Sequence, residues 1–222
     1  MPHIGILTGL RSEARCVSRY VPPGAVTIAL SGARAEGARR GAEALVAADT
    51  THLLSFGLAG GLDPRLPPGT LLLPRAILTE DGRTLPVDRL WHEQLLERLE
   101  AETDPILGVD TPIASVVAKA ALRQRSGAAA IDMESHVLAE AAARAGRPFA
   151  AIRVICDAAD TALPPAALVG VTEAGGTDLG AILGSILRRP GQLAALLALA
   201  RAAARAERVL TEAGCVVGVF AT

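Results

Sequence analysis

The sequence predicts a single α/β domain, a central β-sheet flanked by helices, from three observations. Short apolar runs alternate with helical stretches along the chain. No internal repeat or linker-like segment interrupts the 222 residues, a length that suits one large domain or two small ones. Half of the residues are hydrophobic and 20% are charged, so a sizeable core is within reach and disorder is not expected. Aromatic residues make up only 2%, which leaves Ala, Leu and Val to fill that core. Alanine-rich helices pack closely at low entropic cost but interlock shallowly, so association with further copies is expected to complete the burial.

Taken in order, HIGILTG (3–9) and AVTIALSG (25–32) are strands, and ARAEGARRGAEALVAA (33–48) is a helix with small residues at close spacing. HLLSFGLAGGL (52–62) is a strand running into a glycine-rich turn. GTLLLPRAILT (69–79) is a strand interrupted by Pro74, and DRLWHEQLLERLEAE (88–102) is an amphipathic helix. PILGVDTPIAS (105–115) reads as a strand and then a loop. AAAIDMESHVLAEAAARAG (128–146) joins a short strand, a polar junction and a helix closed by Gly146. AAIRVICDAAD (150–160) begins with the β-branched burst of a covered parallel strand. A Pro/Gly-rich loop (161–176) and two amphipathic C-terminal helices, about 178–212, complete the single domain 1–222.

The formal net charge of −1 lacks the basic field that a nucleic-acid partner requires. The stretch LRRPGQLAALLALARAAARAERVL carries arginines on one side; a solvated helix face and contact with an anionic membrane surface both fit it. Cys16, Cys156 and Cys215 are widely spaced with no CxxC pair, so neither zinc nor a disulfide framework is expected. His52, His92 and His136 have no partner at metal-ligand spacing. The N-terminus lacks the pattern of a signal peptide, and no apolar run reaches the roughly 18 residues of a membrane span. A reduced, cytoplasmic protein is expected, peripheral to the inner membrane if the basic helix touches lipid.

The loops after the strands hold the unusual residues: Glu13, Gly57 to Gly61, Asp132 with Glu134, and Asp157 with Asp160. In open α/β sheets ligands gather beyond the carboxyl ends of the strands, so these five acids are expected to line one cleft. Asp157, at the end of a buried strand, is expected to be partly desolvated, which favours a protonated carboxyl and suits a general acid. Asp160 suits the capping of a turn. In IDMES (131–135) a helix N-terminus accounts for one of the two acids, but not for Met133 between them. A thioether is a soft surface for a flat ring or sugar face, and Glu134 can accept hydrogen bonds from two neighbouring hydroxyls, as a ribose demands.

SFGLAGGL (55–62) reads G-x-x-G-G and not G-x-G-x-x-G, which disfavours an NAD-dependent oxidoreductase; its glycines are expected to let the backbone approach a ligand closely, and Ala59 and Gly60 are candidate binding positions. No Ser/His/Asp set or nucleophile elbow is visible.

Taken together, IGILTGLRSEA, LSGARAEGARRGAEAL, SFGLAGGLDPRLPPGTLLLP and AIDMESHVLAEAAARAGRPFAAIRVICDAAD resemble the purine nucleoside phosphorylase and nucleosidase superfamily. The nearest branch is the methylthioadenosine/S-adenosylhomocysteine nucleosidases. The resemblance covers nearly the whole chain in order, with DMES and CDAAD its specific segments. It implies a mixed central sheet in a nucleoside phosphorylase-like fold. It also implies N-glycosidic cleavage without a cofactor or metal, phosphate being a co-substrate only in a phosphorylase.

By that resemblance the purine-protonating aspartate is Asp157, the water-activating glutamate Glu13, and the ribose-binding pair Met133 and Glu134. Ile131 and Asp132 flank base and sugar, and Ile113 stands where backbone meets the purine. Cys156 replaces a serine before the catalytic aspartate, and a thiol is the weaker donor. Pro112 stands where an aromatic residue is common, which leaves stacking to another residue.

Leu58 replaces a serine that helps hold phosphate in the phosphorylases. With Glu13 present this favours water as nucleophile, while Arg11 and Arg34, in loops near the cleft, keep an anion open. At a finer grain, the C-terminal helix, LSGARAEGARRGAEALV and the short loops resemble the hopanoid-associated phosphorylases. That implies removal of adenine from adenosylhopane, a small-molecule nucleoside carrying a lipid. The small apolar loop ADTALPPAALVGVTEAGG would leave the 5′ side open to such a substituent. The resemblance further implies a homodimer or higher homo-oligomer in which a neighbour contributes to the pocket. A nucleoside-binding protein without the chemistry is the alternative from another class, and the joint presence of Glu13, Glu134 and Asp157 speaks against it.

Overall fold

The computed structural model describes residues 2–22, 24–172 and 174–220. From the N-terminus, β1 (Ile4–Thr8), α1 (Arg11–Ser18), β2 (Val26–Leu30) and α2 (Ala35–Ala47) lead into the long strand β3 (His52–Gly61). Short strands β4 (Leu71–Leu72), β5 (Ala76–Thr79) and β6 (Thr84–Pro86) precede α3 (Arg89–Leu96) and β7 (Ile106–Gly108). Next come α4 (Val116–Ser126), β8 (Ala130–Asp132), α5 (Ser135–Ala145) and β9 (Phe149–Asp157). The last helices are α6 (Pro165–Val169), α7 (Leu179–Arg188) and α8 (Leu193–Phe220).

The strands form one mixed sheet ordered β2-β1-β3-β8-β7-β5-β6, with β9 parallel to β3 and β4 antiparallel to β9. The hub is β3. Its first half lies between β1 and β9, both parallel to it, and its last residues, Gly60 and Gly61, turn to pair antiparallel with Ile131 and Ala130 of β8. A register shift between Ala59 and Gly60 marks the bend that this change of partner requires. The ends of β3, β8 and β9 thereby meet in one place.

Alternation along β9 sends its residues to opposite faces of the sheet. Phe149, Ala151 and Ile155 join a core under α2 and α5, with Leu45, Leu53 and Ala142. Ala150, Ile152 and Val154 join another, with Phe56 of β3, Trp91 of α3, and Cys16 and Leu210 from α1 and α8.

Several elements differ from the sequence expectation, each for a physical reason. Residues 57–61 are not a turn but the end of β3. The 69–79 run splits into β4 and β5 on either side of Pro74, which has no N–H for a ladder. The helix of 88–102, capped by Asp88 accepting from Trp91 N at 2.8 Å, stops at Leu96. Beyond it Glu102 is drawn to β4, its N–H donating to Leu71 O at 3.0 Å. Helices α1 and α4 were not expected, and α6 lies inside the expected loop 161–176, in which residue 173 is outside the described residues. Gly146 closes α5 with φ +62°, as expected. The final helix runs past 212 to Phe220, because Ala206, Leu210, Ala213 and Val217 are buried.

Candidate active site

Glu13 stands in the first turn of α1 and is only 3% exposed. Its Oε2 accepts from the backbone N–H of Gly9 at 2.7 Å and of Leu10 at 2.8 Å, while Oε1 accepts from Leu58 N at 2.8 Å. One carboxylate therefore closes its own helix and clips it to β3. Burial, reinforced by the charge of Glu134, pushes its pKa up to about 7, against the pull of Arg153 and the backbone donors.

Arg153 of β9 organises the acids around it. It is fully buried, with Nη2 2.6 Å from Asp132 Oδ2 and 3.3 Å from Glu134 Oε2. The same guanidinium donates to Ser55 Oγ at 2.5 Å and to Leu58 O at 3.2 Å. A charge in the middle of a covered strand is tolerable only when paired and hydrogen-bonded, and here the partners come from β8 and its junction with α5. Burial works against the guanidinium, but Asp132, Glu134 and Glu13 together hold its pKa above the ordinary value.

The two acids of IDMES divide their work. Asp132 accepts from Ser135 N, at 3.2 and 3.3 Å, and from Ser135 Oγ, so it secures the first turn of α5. Glu134 makes no capping bond; its Oε1 accepts from Ser31 Oγ at 2.7 Å. Burial raises the Glu134 carboxyl, with Arg153 opposing and Asp132 adding to the rise. Gly57 is needed here for space. A Cβ on it would lie 2.7 Å from Arg153 Nη1 and 2.8 Å from Glu13 Oε1. That glycine admits the protein's own charged groups, where the expectation was close approach of a ligand.

Asp157 ends β9 beside them, with Oδ1 accepting from Cys156 Sγ at 3.2 Å. Burial, with the charge and hydrogen bond of Asp157, pushes the thiol well above its ordinary value, so it stays a donor. The other oxygen, Oδ2, is paired with the ammonium of Lys119 on α4. Asp157 is desolvated as expected, 4% exposed, but the expectation did not include its cation, which comes from a helix not expected from the sequence.

These groups line a cleft of about 340 Å³. Glu13, Asp132, Glu134, Asp157, Met133, Ile131, Ile113, Cys156, Ala59 and Gly60 all line it, as do Leu58 and Pro112. Asp160 does not; it is exposed in the following turn, so four acids and not five meet there. Arg11 and Arg34 are likewise not among the described residues lining the cleft, and Arg11 Nε donates to Ala174 O at 3.0 Å. The cations beside the acids are Lys119 at Asp157 and Arg153 at Asp132 and Glu134, neither of them among the residues expected from the sequence, although a charge inside an apolar strand announces buried partners.

The outer wall is apolar, built by Leu163, Ala167, Leu168 and Val171 together with Leu199 and Ala203 of α8. No aromatic ring lines the cleft among the described residues. Leu168 is 44% exposed, and further exposed apolar side chains follow along α6, α7 and the start of α8: Val169, Leu179, Leu183, Leu187, Leu193 and Leu197. Arg188 and Arg189 are exposed at the end of α7.

The model of the phosphorylase superfamily matches residues 17–188, which leaves Glu13 and the whole of α8 to the geometry alone. No curated protein matches the sequence. Among solved structures, the futalosine hydrolase of Helicobacter pylori is similar with a TM-score of 0.68 at 17% identity, over 96% of this chain and 97% of that one. The 5′-methylthioadenosine/S-adenosylhomocysteine nucleosidase of the same organism, with butyl-thio-DADMe-Immucillin-A, gives 0.67 at 17% identity, over 96% and 97%. The corresponding nucleosidase of S. pneumoniae, with the transition-state inhibitor MT-ImmA, gives 0.68 at 15% identity, over 97% and 99%. At these identities the likeness is one of fold.

Proposed function

The chain belongs to the phosphorylase superfamily, and from that premise we propose that it is a purine nucleosidase that hydrolyses the N-glycosidic bond of an adenine nucleoside. The reading extends to adenosylhopane as the substrate, with adenine and ribosylhopane as products, in hopanoid biosynthesis. One observation carries it: Glu13, Glu134 and Asp157, buried carboxylates from three separate segments, converge on one cleft.

The chemistry follows from their surroundings. Breaking the bond leaves an electron pair on the base and positive charge on the sugar. Asp157 gives its proton to the purine N7 as the bond breaks, a contribution typically of about 10²- to 10⁴-fold. Glu134 accepts from the 2′ and 3′ hydroxyls, and Met133 packs against the ribose. Glu13, with a pKa of about 7, is partly ionised at neutral pH and takes the proton of the water that bonds to C1′. Water is favoured over phosphate because the nucleophile's side holds two carboxylates and Leu58, while the nearby cation, Arg153, is already engaged.

The apolar outer wall and the exposed leucines beyond it support a hydrophobic 5′ substituent and a peripheral contact with an anionic membrane. That contact is assigned to α6, α7 and the start of α8; the later apolar face of α8 is spent in the core. No helix among the described residues is long and apolar enough to cross a membrane. Exposed Val116 and Val117 near Ile113 suit cover by a second copy of the chain, in keeping with a homo-oligomer. No cofactor enters the scheme.

The test is product analysis with adenosylhopane and methylthioadenosine in parallel, with and without phosphate. The reading predicts adenine and a free ribosyl product from adenosylhopane without phosphate. Ribose 1-phosphate chemistry, or a strong preference for methylthioadenosine, would replace it with the phosphorylase or the methylthioadenosine nucleosidase reading.

A further inference from the structure

Lys119 is the chain's single lysine among 22 Lys and Arg residues, and it is fully buried. A buried ammonium persists only when its charge and its three hydrogens find partners. Here they do. The Nζ donates to Asp157 Oδ2, to Ala158 O at 2.8 Å and to Thr161 O at 2.9 Å. The helix that carries it is itself fixed. Ser115 Oγ accepts from Ala118 N at 3.1 Å, Gly127 closes the other end with φ +71°, and Arg123 Nη2 reaches Asp63 Oδ2 at 2.5 Å. Arginine serves at every other basic position, but its planar fork does not reproduce a compact charge pointing three ways.

We propose that Lys119 is the positioning residue of Asp157: it pins Oδ2, orders the 158–161 turn through two carbonyls, and leaves Oδ1 as the oxygen that addresses the base. The proposal rests on the role given to Asp157 above. It also explains how Cys156 suffices beside that carboxylate, since a thiol is too weak a donor to orient it alone.

The experiment compares wild type, Lys119→Met and Lys119→Arg over a full pH range, each also combined with Asp157→Asn. Lys119→Met is expected to lower kcat by about 100-fold and to change KM far less. Lys119→Arg keeps the charge but not the three-way geometry, so kcat drops about 10-fold. In the Asp157→Asn background neither change lowers kcat further.

Should Lys119→Met fail to fold, the arginine variant and the double variant lacking both charges carry the test. An unchanged kcat in Lys119→Arg, an unchanged kcat or an equally large rise in KM in a folded Lys119→Met, or an undiminished further loss in the Asp157→Asn background overturns the proposal. Wild type that releases no base defeats the functional reading and the proposal together, whereas active wild type beside unaltered variants defeats the proposal alone.

Discussion

The carboxyl of Glu13 decides the sign of the pH dependence. Burial and the neighbouring Glu134 raise it from 4.5 to about 7, so across the neutral range it passes from neutral to ionised. Hydrolysis needs the ionised form to draw the proton from water. Without phosphate, kcat/KM is therefore expected to rise about 10-fold per pH unit below 7 and then level, about 100-fold in all between pH 5 and 8. Phosphorolysis has the opposite sign, because an ionised Glu13 repels the incoming dianion. The assay is chromatographic measurement of released base over that range, with and without phosphate, for wild type and Glu13→Ala. Glu13→Ala is expected to lose the rising limb together with about 100-fold or more of the hydrolytic rate. A phosphate-free rate that is flat or falls with pH, or a Glu13→Ala variant that keeps the limb, would refute the assignment. The same shift carries a stability consequence of definite sign. A carboxyl raised on folding is harmless below about pH 4.5, and stability falls as pH climbs through about 7, by about 3 kcal/mol once Glu13 is fully ionised.

Asp157→Asn should reduce turnover by about 10²- to 10⁴-fold while equilibrium binding of a purine nucleoside persists; retained turnover removes the acid from the scheme. Arg153→Met leaves Asp132 and Glu134 buried without their cation and should destabilise the fold by about 3–5 kcal/mol in denaturant unfolding. An unchanged midpoint would mean that the acids are held by other means. Leu183→Glu combined with Leu187→Glu should abolish sedimentation with anionic vesicles and slow cleavage of a lipid-linked nucleoside, while a water-soluble nucleoside is still cleaved. Undiminished vesicle binding would place the lipid contact elsewhere.

What the sequence made legible follows the local physics. The apolar bursts of β1, β3 and β9, β-branched in β1 and β9, needed only their own residues to announce covered strands, and acids directly after such strands had few other uses. What stayed hidden depended on distant partners. Arg153 makes sense only with Asp132 and Glu134 in view, although its position inside an apolar run already called for buried acids. Lys119 looks like any exposed helical charge until its ammonium is seen at the C-terminal end of β9, yet it was conspicuous as the one lysine in the chain. Ser115 and Gly127 bracket α4 as its N-cap and C-cap, a signal present in the sequence itself. Residues 97–102 carry a helical pattern that loses to pairing with β4. The apolar face of the late α8 looked free for a membrane because the groove between α1 and β9 that receives it exists only in the folded chain.

The account stands on a purine held with N7 against Asp157. A crystal structure of the protein with a non-hydrolysable adenine nucleoside measures this directly. The expected result is N7 within hydrogen-bond distance of Asp157 Oδ1, both ribose hydroxyls on Glu134, and the 5′ carbon directed at Leu168 and Leu199. A base turned away from Asp157, or a sugar seated outside the cleft, would contradict it.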